Sequence, residues 1–169
     1  MGAGAKIERG VNESQGITRE ELSVYVPDYH ARIHERLYKR GILKEGEELD
    51  LTFPALPHPN SQAEYLFDDI IGDDWVYVVF MRPNRKTSKH KHPNEKIEVE
   101  EDCELLAGKM FLHLGEDESS KAELTEIYNF ATIPPNTFHR NTTDGHFALY
   151  IARTRGAAPI PRDKLHIPF

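Results

Sequence analysis

Cysteine is almost missing from this sequence: Cys103 is the only one in 169 residues. An internal disulfide and any zinc site built on several thiolates are thereby excluded, so packing has to supply the stability. No apolar run approaches the roughly 18 to 20 residues of a membrane helix, and the opening MGAGAKIERG lacks the apolar core of a secretory signal. The expectation is a soluble, cytoplasmic protein with no membrane partner. Basic residues are outnumbered, 21 Lys and Arg against 28 Asp and Glu for a net charge of −7. They form no basic face, and no nucleic-acid partner is expected, because such a partner is gripped through its phosphates. Also lacking are a phosphate-binding glycine loop, a dinucleotide fingerprint and a serine–histidine–aspartate pattern. A small-molecule substrate is the partner that remains.

What is present reads as one domain, since neither a repeat nor a break in composition divides the chain. Residues 1–15 are Gly- and Ala-rich at their start and read as a flexible tail. Residues 16–60 form a helical segment and a connection. Thr18 with Glu21 has capping-box spacing, and DYHARIHERLYKRG starts at Asp28 and stops at Gly41. Ile33 and Leu37 make the buried stripe of that second helix, with Arg32, Glu35, Arg36 and Lys39 toward water. FPALPHPNS carries three prolines and must run extended. Residues 61–169 are the β part with a C-terminal tail. WVYVVFM, GKMFLHLG, AELTEIYNFATI and FALYIAR, separated by turns, indicate an antiparallel sandwich or barrel.

The informative stretch is KTSKHKHPNEKIEVEEDCELLAGK, residues 86–109. Read as a strand over 97–107, it places Ile97, Val99, Glu101, Cys103, Leu105 and Ala107 on one face, and Glu98, Glu100, Asp102, Glu104 and Leu106 on the other. The four acids of the even face read as a solvated surface. Glu101 is a single carboxylate on an apolar face, which is costly unless it meets a cation or several donors. His90 and His92 lie just upstream, and the turn in TIPPNTFHRN delivers His139. Three imidazoles and one carboxylate suit a divalent first-row metal, Mn, Fe, Co, Ni or Zn, with positions open to water or substrate.

These residues resemble the two motifs of the cupin superfamily, H-x-H with E-x6-G and then P-x-G-x2-H: here HKH at 90–92, Glu101 with Gly108, and PPNTFH at 134–139. The resemblance implies a mostly β protein, a double-stranded antiparallel β-barrel of jelly-roll type, with metal held by His90, His92, Glu101 and His139. It also implies a homodimer, with which the apolar even face of Met110, Leu112 and Leu114 is consistent. The gap from His92 to Glu101 is longer than the motif usual length, which makes Glu95 and Glu98 rivals for the carboxylate ligand. The face of the strand and the glycine spacing favour Glu101. Asn136 stands where glycine is usual, a position asparagine tolerates in the left-handed conformation.

Other candidates surround this set. If alternation continues past Gly108 without a bulge, Lys109 and His113 share the inner face with Glu101; a bulge at the glycine reverses that. Glu101, Lys109 and His113 are therefore the candidate catalytic residues for proton transfer. Tyr77 and Tyr150 flank the expected site, Cys103 reads as a small core residue, and Arg82 and Arg85 are candidate anion contacts. His58, His146 and His166 read as solvated loop or edge residues, and His30 with His34 as helix surface. Three functions suit the chemistry: a sugar isomerase or epimerase, an Fe(II)-dependent dioxygenase, and a non-catalytic ligand-binding cupin. GITREE, HKHP, GK and IPPNTFH also resemble fragments of small bacterial D-lyxose isomerases, and this favours the first.

Overall fold

A computed structural model describes residues 16–57, 61–92, 99–161 and 164–168 of the chain. Two helices come first, α1 (Arg19–Tyr25) and α2 (Tyr29–Lys39). Thr18 caps α1 as expected: its hydroxyl accepts from the Glu21 N–H at 3.1 Å, and the Glu21 carboxylate accepts from the Thr18 N–H at 3.0 Å. Asp28 makes no such cap for α2. Its carboxylate takes the Arg32 Nε at 3.0 Å instead. Gly41, at φ +73°, lets the chain leave that helix.

The strands are β1 (Leu56–Pro57), β2 (Glu64–Ile71), β3 (Asp74–Met81), β4 (His90–Lys91), β5 (Glu100–Gly108), β6 (Met110–Leu114), β7 (Ser120–Leu124), β8 (Phe130–Ile133), β9 (His139–Thr142), β10 (Ala148–Arg155) and β11 (Ile167–Pro168). They form two sheets, in the orders β11-β4-β9-β6-β7 and β1-β2-β3-β10-β5-β8, and every pairing is antiparallel. The expected mostly β, jelly-roll class therefore holds. Strand β2 is an addition to the sequence reading, hidden by its acidic pair Asp68–Asp69 and by a register shift between Tyr65 and Phe67.

WVYVVFM shows no alternation because β3 is buried on both sides. Tyr77, Val79 and Met81 enter the core between the sheets with Met110 and Leu112. Val76, Val78 and Phe80 pack with Leu22, Ile33 and Leu37 of the helices in a second core. The helices thus cover the outer face of the six-stranded sheet. Met110 and Leu112 point inward and are fully buried, so the face cited for a dimer contact is interior. No helix among the described residues is long and apolar enough to cross a membrane.

Strand β5 departs from the expected alternation in two ways. Tyr150 of β10 faces Leu105 and Leu149 faces Ala107, so Leu106 is an extra residue, a bulge. Glu101, Cys103 and Leu105 face the inner core, whereas Ala107 has crossed to the helix-covered core. On the even face Asp102 and Glu104 are not solvated: Asp102 is 2% exposed and Glu104 6%. Arg36 Nε lies 2.7 Å from Glu104, Arg40 3.1 Å from Glu104, and Arg155 Nε donates to Asp102 at 2.6 Å. Arg36 therefore turns to the sheet, not to water as the helix pattern implied. Gly108 closes the strand at φ +88°, where a Cβ would stand 2.0 Å from the Phe147 carbonyl oxygen, so glycine is required.

A candidate metal centre

Each of the four expected ligands is delivered by a different piece of local chemistry. His90 opens the two-residue strand β4 and His92 follows it directly. The prolines and Asn136, which adopts φ +55° as expected for an asparagine in the glycine place, turn the chain so that His139 begins β9 directly opposite His90. Glu101 comes from the other sheet, through the inward face of β5. His90, His92, Glu101 and His139 each offer a ligand atom, and these atoms all lie within 4.8 Å of one another. Glu95 and Glu98 lie outside the described residues.

The imidazoles are oriented alike. Nδ1 of His90 donates to the Ser88 carbonyl at 2.8 Å, Nδ1 of His139 to the Thr137 carbonyl at 3.0 Å, and Nδ1 of His92 to the Leu165 carbonyl at 2.9 Å. With every Nδ1 proton committed to the backbone, every Nε2 is left for the centre, the arrangement in which histidine ligates metals. Nε2 of His92 lies 2.5 Å from Glu101 Oε1, and Nε2 of His139 lies 3.2 Å from the same oxygen without hydrogen-bond geometry. The His139 nitrogen is a buried polar atom with no hydrogen-bond partner, the condition a metal ion relieves. The donor set, three imidazole nitrogens and one carboxylate, fits a divalent first-row metal.

Electrostatics agree with that fit. Burial, with His139, His166 and His92 close by, pushes the His90 imidazole down to about 2, so its lone pair is available at every neutral pH. Burial also works against ionisation of Glu101, but the charges and contacts of His92 and His139 outweigh it and hold the carboxyl well below its usual range. Burial works against a proton on His92 as well; Glu101 and the Leu165 carbonyl outweigh it and raise this imidazole. The position between the rings and the carboxylate is thus built to hold a cation.

A cavity of about 40 Å³ opens beside the cluster. Tyr77 and Tyr150 both line it, as does Glu101. Several wall residues escaped the sequence reading, Ser61, Asn141 and His166 among them. Ser61 and Asn141 carry no motif, and His166 sits in a tail whose pairing partner cannot be read from composition; all three line the cavity. The His166 ring lies 4.4 Å from that of His90 and 5.1 Å from that of His92, centroid to centroid, so it is no solvated tail residue.

Lys109 and His113 stand elsewhere. The bulge at Leu106 turns them to the outer face of β6, where Lys109 Nζ is 3.5 Å from Glu123 and His113 Nε2 meets the Thr142 hydroxyl at 3.0 Å. Neither lines the cavity. Cys103 is fully buried with its sulfur 3.5 Å from Glu101 Oε2, and burial beside that carboxylate pushes the thiol well up. Arg82 is committed to Glu64 at 2.8 Å, and Arg85 lies off the cavity wall. Neither is placed to receive a substrate there.

No family model and no curated protein sequence matches the chain. Solved structures do. The polyketide cyclase RemF from Streptomyces resistomycificus matches over 68% of this chain and 80% of its own at 20% identity, TM-score 0.50. A cupin-like protein from Thermotoga maritima matches over 59% of this chain and 71% of its own at 22% identity, TM-score 0.47. A DMSP lyase chain matches at 23% identity and TM-score 0.43 over 52% of this chain, which spans 40% of that lyase. These likenesses concern the fold alone, and a shared fold does not select a reaction. The likeness to D-lyxose isomerases rests on the sequence fragments alone.

Proposed function

Starting from a chain of cupin fold that gathers three histidines and a glutamate at one centre, we propose that this protein is a metal-dependent enzyme acting on a small polar metabolite, by isomerising or epimerising a hydroxy-carbonyl compound such as a sugar. The observation that supports the substrate class is the cavity wall. Beside the ligands it carries Ser61, Tyr65, Tyr77, Asn141 and Tyr150. Two of its oxygens, Ser61 Oγ and Asn141 Oδ1, are buried and make no hydrogen bond among the described residues. A hydroxyl-rich molecule supplies donors for such acceptors, whereas an apolar one leaves them desolvated and unpaired.

His90, His92, Glu101 and His139 would hold the ion. When bound, a divalent metal polarises a substrate oxygen and so acidifies the neighbouring C–H. The chain provides the rest. His90 stays neutral, Glu101 stays ionised, and the phenol of Tyr150, pushed well up by burial, stays protonated as a hydrogen-bonding group. The Asn141 amide donates to the Tyr150 oxygen at 3.1 Å, which fixes both side chains on the wall. Lys109 and His113 face away, so proton transfer falls to Glu101 or to the His166 imidazole on the same wall.

The test is incubation of protein loaded with Mn, Fe, Co, Ni or Zn with a panel of aldoses and ketoses under nitrogen. Interconversion without oxygen is the expected result. Turnover of a substrate only when oxygen is admitted transfers the site to the dioxygenase class, and binding without turnover in either atmosphere transfers it to the ligand-binding class.

A further inference from the structure

Among the three imidazoles of the centre, one is held differently. His90 and His139 each anchor Nδ1 on a carbonyl two residues back, Ser88 and Thr137, so their orientation is written into the local chain. His92 anchors on Leu165, 73 residues away. His92 also lies just past β4, a strand of only two residues that meets β9 through the single pair His139–His90. On its other side β4 pairs with β11, Ile167 opposite Lys91 and Pro168 opposite His90. Leu165 is 0% exposed in the core between the sheets, and His166 packs its ring on those of His90 and His92.

We infer that the C-terminal segment, residues 164–168, is a working part of the metal centre: Leu165 anchors it, the Leu165 carbonyl orients His92, and the His166 ring backs His90 and His92. Loss of a partner that orients a ligand typically costs 10- to 100-fold in metal affinity. The segment is placed to have that effect although it contributes none of the four ligands. The inference rests on reading those four residues as metal ligands and is independent of which reaction the centre performs.

The experiment uses the full chain and titrates Zn²⁺ or Co²⁺ against a chromophoric chelator, with folding followed by far-ultraviolet circular dichroism. Leu165→Ala, which loosens the anchor, is expected to weaken the metal about 10- to 100-fold. Leu124→Ala removes a core leucine of the same cluster that does not line the cavity, and it is expected to stay within about threefold of wild type although it also lowers stability. His166→Ala is expected between the two. Equal affinity in wild type and Leu165→Ala overturns the inference, as does an equal loss in Leu124→Ala. If Leu165→Ala does not fold, His166→Ala decides: at least threefold weakening supports the segment, and wild-type affinity overturns it. No uptake by wild-type protein overturns the metal reading and this inference together, whereas uptake with unchanged variants overturns this inference alone.

Discussion

Glu101 and its neighbours Asp102 and Glu104 share one strand and are all buried, 8%, 2% and 6% exposed, yet they are neutralised by opposite means. Asp102 and Glu104 face guanidiniums: Arg36 of α2, Arg40 at the C-terminal cap of that helix, and Arg155 of β10. The ion-pair partners of Glu101 among the described residues are imidazoles, His92 and His139. A guanidinium is charged at every accessible pH and cannot leave, so the outer pairings are permanent fixtures between helix and sheet. An imidazole gives up its proton near neutrality and then offers a lone pair, so the inner pairing can exchange a proton for a metal. The counter-groups, and not burial, separate a carboxylate that holds the fold from one that equips a site.

The largest effect that tests this contrast is on the inner side. Glu101→Gln keeps shape and removes the anionic ligand; metal affinity is expected to fall by more than ~100-fold, beyond the range seen for orienting partners. Titration against a chelator measures it. Retained affinity in Glu101→Gln would return the ligand role to one of the rival acids. Asp102→Asn is the outer counterpart. It leaves Arg155 and Arg40 with a weakened partner, and destabilisation of about 2 kcal/mol, roughly 30-fold in the folding constant, is expected after allowing for the half-exposed Arg155. Urea unfolding measures the loss, and metal affinity is expected to stay unchanged. If both variants moved both quantities alike, the division between the two faces would fail.

A pH titration sharpens the same contrast with a smaller effect per step. The pKa of His92 lies above its ordinary 6.5, and its proton and a metal compete for Nε2. Above the raised pKa the imidazole is neutral and metal affinity is flat. Below it, each unit of falling pH costs about tenfold for the His92 proton that must leave. His90 adds nothing over that range, because its value of about 2 lies far beneath it. Calorimetry from pH 8 to 5 reads the onset, and an affinity independent of pH down to 5 would mean that His92 is not a ligand.

Much of this was legible in the sequence, and the failures share one cause. The capping box at Thr18, the buried pair Ile33 and Leu37, the left-handed Asn136 and the inward Glu101 all follow from local rules. What local rules cannot give is the surface an element packs against. Asp102 and Glu104 look solvated by alternation alone, and only the arrival of α2 with Arg36 and Arg40 makes them buried. His166 looks like a tail residue until β11 pairs with β4. The bulge at Leu106 carries no glycine or proline of its own to announce it.

That bulge supports the smallest expected effect. Without it, the alternation from Glu101 runs through Lys109, Phe111 and His113, and two titratable groups enter the cavity. With it, Met110 and Leu112 take those inward places, and Lys109 and His113 settle on the outer face against Glu123 and Thr142. Lys109 pairs with a half-exposed carboxylate, a contact of the sort that contributes about 1 kcal/mol or less. Lys109→Ala and His113→Ala are therefore expected to hold metal and turn over substrate within about twofold of wild type, and Lys109→Ala to lose at most ~1 kcal/mol of stability. Steady-state kinetics on the substrate found in the anaerobic panel, together with chelator titration, provide the measurement. A hundredfold fall in kcat for either variant, with metal retained, would place that side chain at the reacting atoms and remove the bulge from the account of β5.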